Sequence, residues 1–291
     1  MRKFIIPIII AVVSTTACTE KFDFEFDENV ERIVVDAVLT NFEGTKYNYV
    51  RLTKTQNKPT QATNQTQVIP VIKDAVIKIS DNLGNSETLR YTETYENMRE
   101  LGSYKIEHLR AVAGRTYTLE ITWQGKTYKA VSRVKSVPQI NRIGFRSKYL
   151  EAKKETVTIP LLYFNEPQNT KDYYLLHYTI DGFSGSNRNW GYSILNDVHL
   201  TAQVRGIEID DGQSASGTDF YHNIPEGSEV KVYLESLTEE AYEFYRSIIK
   251  QFESDGGAFS QAPATPAGNI SNGALGLFRC SSVSEKTVIR Q

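Results

Sequence analysis

Apolar and polar residues alternate along many short stretches of this chain, a period of two that is typical of half-buried β-strands. In the clearest stretch, Thr116–Trp123, every second side chain from Tyr117 onward is apolar. Gln124-Gly125 then predicts a tight reversal into a second strand, Lys126–Val134. The same pattern predicts further strands at Ile33–Thr40, Tyr47–Thr53, Ala75–Ser80, Thr156–Phe164, Tyr173–Ile180, Val198–Val204 and Glu229–Leu237.

One segment has the period of a helix instead. Between Glu239 and Glu253 the apolar residues recur three or four positions apart, which places them on one face. Thr238 or Ser236 is expected to cap this helix, and we expect it to pack across the edge of a sandwich. The residues of the apolar face are Ala241, Phe244, Tyr245, Ile248 and Phe252.

The order of these elements predicts a mostly β fold: two β-sandwich-like domains, with one amphipathic helix docked in the second. Turn residues at 102–104 and 113–117 punctuate the first part in the manner of small prealbumin-like sandwiches, a comparison at the level of fold alone. The pattern resets near Ser136-Val137-Pro138. We therefore predict an N-terminal domain over residues 32–136 and a C-terminal β-rich domain over residues 137–291.

The first residues have the three parts of a secretory signal peptide. Arg2 and Lys3 precede the apolar run Phe4–Val13, whose ten residues are too few to cross a bilayer, and small residues lead to Cys18. Thr15-Thr16-Ala17-Cys18 resembles a relaxed bacterial lipobox. That resemblance implies cleavage of residues 1–17 and lipidation of the Cys18 thiol; the alternative is simple secretion with a coincidental cysteine.

Residues 18–31 are predicted to form an acidic tether. Asp23, Glu25 and Asp27 alternate with phenylalanines, which would place the carboxylates on one side of an extended chain. The segment also resembles the surface-export signal of Bacteroidota lipoproteins. A calcium site is not expected, because no glycine turn or distal glutamate follows at the spacing of an EF-hand. Loss of Arg2 and Lys3 takes the 33 basic residues to 31 against 35 acidic ones, a net charge of −4.

The composition and the motifs exclude several classes of function. Near-balanced charge gives no basic field for nucleic acid, and two cysteines exclude a disulfide scaffold. His108, His177, His199 and His222 match no zinc-helix spacing, and no nucleophile-elbow, P-loop or dinucleotide motif occurs. We therefore expect no catalytic residue, no cofactor and no metal.

Sequence context predicts whether a cysteine, two tyrosines and a tryptophan are buried or exposed. Cys280 lacks any surrounding catalytic signature and is expected to be a small buried hydrophobe. Tyr117 and Tyr174 are expected in cores, because they alternate with other apolar residues. Trp190, within a polar loop, is the best candidate for an exposed aromatic residue.

The most specific pattern lies in the C-terminal third. Residues 268–278 read GNISNGALGLF, preceded by YEFYRS at 242–247 and GGAFS at 256–260. With IVVDA at 33–37 and GKTYKA at 125–130, this resembles the domain of unknown function 4249 family. The glycines and asparagines of the 268–278 run are expected to shape the backbone while its apolar residues anchor it to the core.

The resemblance implies an outer-membrane lipoprotein of Bacteroidota, often encoded beside a TonB-dependent transporter, and carries over no residue beyond Cys18. We accordingly expect a non-enzymatic accessory or binding subunit of an uptake complex. The alternatives are a surface adhesin or glycan-binding module, and a hydrolase whose carboxylates or histidines come from separate strands. The ligand and the face of the outer membrane that the body occupies are left open.

Overall fold

The computed structural model describes residues 31–43, 47–55, 70–93, 95–96, 99–100, 102–151, 154–180, 193–209, 223–253 and 265–291. The predicted signal peptide, Cys18, the tether before Glu31, Trp190 and His222 therefore lie outside the described residues. So do the GGAFS segment and the side chains of His199 and Phe252. Among the described residues, no helix has both the length and the hydropathy of a membrane span.

Strands dominate the described part of the chain, with one α-helix, α1 (Glu239–Glu253). In chain order the strands are β1 (Ile33–Thr40), β2 (Tyr49–Lys54), β3 (Val76–Asp81), β4 (Ser86–Thr88), β5 (Arg90–Thr92), β6 (Tyr95–Glu96), β7 (Arg99–Glu100), β8 (Ser103–Lys105), β9 (Thr116–Trp123), β10 (Lys126–Arg133), β11 (Ile140–Leu150), β12 (Glu155–Asn165), β13 (Tyr173–Ile180), β14 (Ser193–Asn196), β15 (Gln203–Glu208), β16 (Glu229–Leu237), β17 (Leu275–Ser281) and β18 (Val283–Ile289).

The first sandwich consists of two sheets that share one core. Sheet A has the strand order β17-β1-β2-β8-β5, and sheet B has the order β10-β9-β3-β4. Tyr117, Leu119, Ile121 and Trp123 are all buried in this core, as their alternation predicted. Gln124 and Gly125 have φ angles of 48° and 73°. Two successive positive φ angles produce the tight turn that matches the twist of a hairpin, so the predicted β9–β10 hairpin is confirmed.

The second sandwich also consists of two sheets, and the helix α1 packs on the outer face of one of them. Sheet C has the order β11-β12-β15, sheet D has the order β14-β13-β16-β18, and their facing residues share a core that includes Tyr174. Tyr173 and Leu175 point to the other side of sheet D, where they pack against Ala241 and Tyr242 of α1. The predicted mostly β fold with sandwich-like sheets and one docked helix is thus confirmed. The two-stranded ribbon β6–β7 stands outside these sheets.

Hydrogen bonds decide which of the two candidate residues, Thr238 or Ser236, caps the N-terminus of α1. Thr238 Oγ1 accepts the Ala241 N–H at 3.2 Å, so Thr238 is the N-cap. Ser236 instead donates its hydroxyl to the Lys135 carbonyl oxygen at 2.8 Å. Phe244 and Tyr245 pack against the buried cluster as predicted, but Tyr242 is also buried there, which the spacing did not predict.

The predicted strand Val198–Val204 is wrong up to Ala202; only Gln203 and Val204 lie in a strand. Residues Asp197–His199 form a short 3-10 turn, and the strand begins only at Gln203. Asp197 explains the difference: its carboxylate accepts the Asp172 N–H at 2.9 Å and its own N–H donates to the Asp172 carbonyl oxygen at 3.2 Å. These two hydrogen bonds hold a turn beside the start of β13. A continuous strand at Asp197 would be unable to form them.

The C-terminal ribbon, residues 275–289, joins the two sandwiches. Its first half, β17, pairs in parallel with β1 at the edge of sheet A, and its second half, β18, pairs with β16 at the edge of sheet D. Between them, Asn41 holds the Val283 backbone through both its amide atoms, at 2.7 and 3.1 Å. The division into domains at residue 136 stays a prediction; Phe278 and Cys280 lie in the core of the first sandwich.

The 268–278 run shapes the backbone, as predicted. Asn269 bonds the N–H and the carbonyl oxygen of Phe278 at 2.9 and 2.8 Å. Gly276 has φ +102°, and a Cβ atom there would overlap the Val35 carbonyl oxygen; one at Gly268 would overlap the Gly276 carbonyl oxygen. The three backbone segments therefore approach more closely than any side chain would allow.

Replacing Gly276 by alanine is expected to destabilise the protein by about 3 kcal/mol or more, through backbone strain and overlap with Val35. Gly273→Ala is the matched control, because Gly273 has φ +73° but a Cβ atom added there would have no neighbouring atom within 4 Å. Its cost should be about 1 kcal/mol. Urea unfolding followed by circular dichroism measures both values, and equal losses would contradict the close-approach interpretation.

Candidate functional site

A buried group of charged and aromatic side chains lies between sheet A and sheet D. Its centre is Arg279 of β17, whose Nη1 forms an ion pair with Glu235 Oε2 of β16 and donates to Ser281 Oγ at 3.1 Å. Glu235 is 5% exposed. Nδ1 of His177 lies 3.6 Å from the other Glu235 oxygen, and the His177 ring stacks on Tyr233 with centroids 4.5 Å apart. We call Arg279, Glu235, His177 and Tyr233 the junction cluster.

Burial sets the protonation of the junction cluster. It lowers the pKa of His177, against the opposing effect of Glu235, so the imidazole is neutral near pH 7. Burial is the largest single effect on Arg279 and lowers its pKa, but Glu235 together with Tyr245 and Tyr49 outweighs it, so the net shift is upward. One positive and one negative charge thus face each other, with a neutral imidazole beside them.

A second set of groups extends the junction cluster across the outer face of sheet A. Tyr49 donates its hydroxyl to Asp36 Oδ2 at 3.2 Å, and Arg51 Nη1 lies 3.6 Å from the same oxygen. Burial raises the pKa values of Tyr49 and of Tyr245 in α1, so both phenols stay protonated. The contacts of Asp36 with Tyr49 and Arg51 join β1 to β2, and Tyr245 joins α1 to Arg279 of β17. None of their pKa shifts moves a group toward neutral pH, as acid–base catalysis would require.

Three carboxylates meet at one end of the second sandwich. Glu166 follows β12, Asp172 precedes β13, and Asp197 lies in the turn after β14. Their nearest oxygens lie within 4.8 Å of one another, a spacing that a metal ion could bridge. Thr170 donates its hydroxyl to Asp172, and Tyr174 donates to Glu166, with its Oη 3.0 and 3.1 Å from the two carboxylate oxygens.

Protonation of Glu166 lowers the negative charge of this cluster of three carboxylates. Burial raises the pKa of Glu166 to about 7; the Tyr174 hydroxyl opposes this shift, and the charges of Asp172 and Asp197 add to it. Near neutral pH the Glu166 carboxyl therefore carries a proton in a large fraction of molecules. The hydrogen bonds around it tie the ends of β12, β13 and β14 together, which is a structural role.

The structure also describes the surroundings of the cysteine, the two tyrosines and one of the histidines discussed in the sequence analysis. Cys280 is 2% exposed, its N–H donates to Ser132 Oγ at 3.0 Å, and burial raises the pKa of its thiol. It is the small buried hydrophobe that the sequence predicted. Tyr117 and Tyr174 are fully buried, also as predicted. His108 lies in a loop where its backbone N–H donates to Glu87 at 3.0 Å.

Sequence patterns alone do not reveal these clusters. Glu235 lies within the buried run Val232–Leu237, and Arg279 lies between the buried Phe278 and Cys280. A charge at such a position is a signal for a buried partner. Glu166 and Asp172 flank two strands that are consecutive in sequence, which suggests a common end of the fold. The pairings themselves depend on the order of the strands, which the spacing of residues along the chain does not determine.

The chain is a mostly β protein whose two sandwiches share a C-terminal ribbon. It belongs to the domain of unknown function 4249 family, whose family model matches residues 19–287. A comparison with curated proteins finds no match. The family match covers all the described residues up to Thr287 and begins directly after Cys18.

Arg279→Met would leave Glu235 buried without its counter-charge, which is expected to destabilise the protein by about 3–5 kcal/mol. The double variant Arg279→Met/Glu235→Leu should recover most of that loss, because it removes both charges. Lys171→Met is the control: Lys171 and Glu239 form an exposed pair at 2.6 Å, worth less than about 1 kcal/mol. Chemical denaturation measures all three, and a double variant as unstable as the single one would refute the pairing argument.

Proposed function

We propose that the protein is an outer-membrane lipoprotein that acts as a non-enzymatic accessory or binding subunit of a TonB-dependent uptake complex. The observation that carries this proposal is the N-terminal sequence, in which a ten-residue apolar run and small residues lead directly to Cys18. A lipidated cysteine would provide the anchor, since each buried methylene of an acyl chain contributes about 0.8 kcal/mol.

Burial of the candidate groups supports a non-enzymatic role. Glu166 has a pKa of about 7, as an acid–base catalyst would, but it is 5% exposed and its carboxyl group is bonded by Tyr174. Cys280, the other cysteine of the chain, is buried with a raised thiol pKa and is a poor nucleophile. The Arg279–Glu235 pair is enclosed between two sheets, where its two charges balance each other. Such groups serve packing, whereas a catalytic group needs access to a substrate.

The partnership with a TonB-dependent transporter rests on the family. The family match covers residues 19–287. The resemblance to this family implies a lipoprotein encoded beside such a transporter. Because the mature chain has a net charge of −4, its body is not expected to adhere electrostatically to anionic headgroups. The lipid would then supply the membrane attachment, and the sandwiches would supply the protein contacts.

Cys18→Ser is expected to abolish incorporation of radiolabelled palmitate and to move the protein from the membrane fraction to the soluble fraction. The hydroxyl cannot replace the thiolate as the acceptor of the lipid. Cys280→Ala is the matched control, because it removes the other cysteine and should leave labelling and fractionation unchanged. Labelling that persists in Cys18→Ser would contradict the anchor.

The partner is tested in the same membranes. The wild-type protein, purified through a C-terminal tag after solubilisation in mild detergent, should recover a TonB-dependent transporter identified by mass spectrometry. Recovery of the lipoprotein alone in several mild detergents would argue against the complex while leaving the lipid anchor intact.

A further inference from the structure

The outer face of sheet C carries two arginines on either side of a tyrosine ring. Arg142 of β11, Tyr163 of β12 and Arg205 of β15 are direct cross-strand neighbours. Neighbouring strands lie about 4.8 Å apart, so the backbones of the two arginines are roughly 10 Å apart. The next pair along the same face is Asn165 and Gln203, both exposed. We call these five residues the arginine platform.

Two glycines hold the tyrosine ring of the arginine platform in place. A Cβ atom at Gly144 would lie 3.2 Å from Tyr163 Cε2, and one at Gly206 would lie 3.0 Å from Tyr163 Oη. Gly206 has φ +85° where the register between β12 and β15 shifts. The ring therefore occupies the space that side chains on the flanking strands would fill. Arg142 lies over it, with its guanidinium carbon 3.7 Å from the ring centroid.

The stacked guanidinium is both fixed and exposed. Arg142 is exposed, and within the described parts of the chain it has no carboxylate partner. Arg205 is also exposed and donates to the side-chain oxygen of Gln203 at 2.6 Å, which leaves its charge uncompensated by any described carboxylate. Arg146, by contrast, is paired with Glu208, which also binds Lys148 at 3.2 Å. Two positive charges without a carboxylate partner among the described residues thus lie together on a protein whose mature chain has a net charge of −4.

We propose that the arginine platform binds an acidic oligosaccharide, with a uronate carboxylate held by Arg142 and Arg205. A planar guanidinium fixed by stacking matches a carboxylate with two parallel hydrogen bonds. The amides of Asn165 and Gln203 supply donors and acceptors for the sugar hydroxyls on the same open face. None of the exposed large apolar residues of the described chain belongs to the platform, which favours a sugar over an inserting lipid. This inference rests on the binding role in the proposed function and deepens it.

The test uses residues 18–291 with Cys18→Ser, so that no acyl chain contributes to binding. Isothermal titration calorimetry with an oligogalacturonate should detect binding, and a malto-oligosaccharide of equal length should not bind. Arg142→Gln and Arg205→Gln should each weaken binding about tenfold or more, because each removes a charge-assisted hydrogen bond. Arg142→Lys should also weaken it severalfold, since it keeps the charge and loses the planar stack.

Arg146→Gln is the matched control, because it removes one positive charge from the same sheet face at a residue already paired with Glu208. It should change the affinity by less than about threefold, and unchanged thermal unfolding verifies that each variant is folded. Absence of oligogalacturonate binding would overturn the proposal. Equal losses in Arg146→Gln, or equally tight binding of inorganic phosphate or of phosphatidylglycerol vesicles, would overturn it as well. Since the protein used carries no lipid, failure here is distinguishable from failure of the lipid anchor or of the transporter complex.

Discussion

The parallel contact between β1 and β17 is the constraint on which the rest of the structure depends. The Gly276 backbone approaches the Val35 carbonyl group so closely that a side chain at Gly276 would overlap it. This approach places Phe278 and Cys280 in the core of the first sandwich. It also directs Arg279 and Leu277 to the opposite side of the strand, toward sheet D and α1. The same ribbon then continues into sheet D as β18.

The junction cluster follows from this geometry. Once β17 forms the edge of sheet A, Arg279 must be buried between the sandwiches, and burying an unpaired guanidinium is strongly unfavourable. Glu235 of β16 provides the counter-charge at the point where the ribbon passes from one sheet to the other. The ribbon therefore contributes a strand to each sandwich and carries the ion pair that lies between them, so both halves depend on the same short segment.

The elements that sequence can predict are those whose burial follows the strand or helix period. The hairpin Thr116–Arg133 and the helix Glu239–Glu253 are in this group, because one face of each is apolar. Strand β11 escapes prediction, because the register shift between Ile140 and Arg142 interrupts the period of two and because Ser147 is a polar residue on the side of Ile143 and Phe145. The turn at Asp197 escapes it because its hydrogen bonds to Asp172 join residues that are distant in sequence. The arginine platform is hidden for a related reason: its three strands meet only in the folded sheet. The backbone role of the 268–278 run, by contrast, is evident from its glycines and asparagines.

Native-state hydrogen exchange followed by mass spectrometry tests the central role of the C-terminal ribbon most directly. If β17 binds both halves, the amides of β1, β16 and β17 should exchange only through global unfolding, with the same free energy and the same dependence on denaturant. Exchange of β17 and β18 through a separate opening of much lower free energy, while β1 and β9 stay protected, would contradict the account.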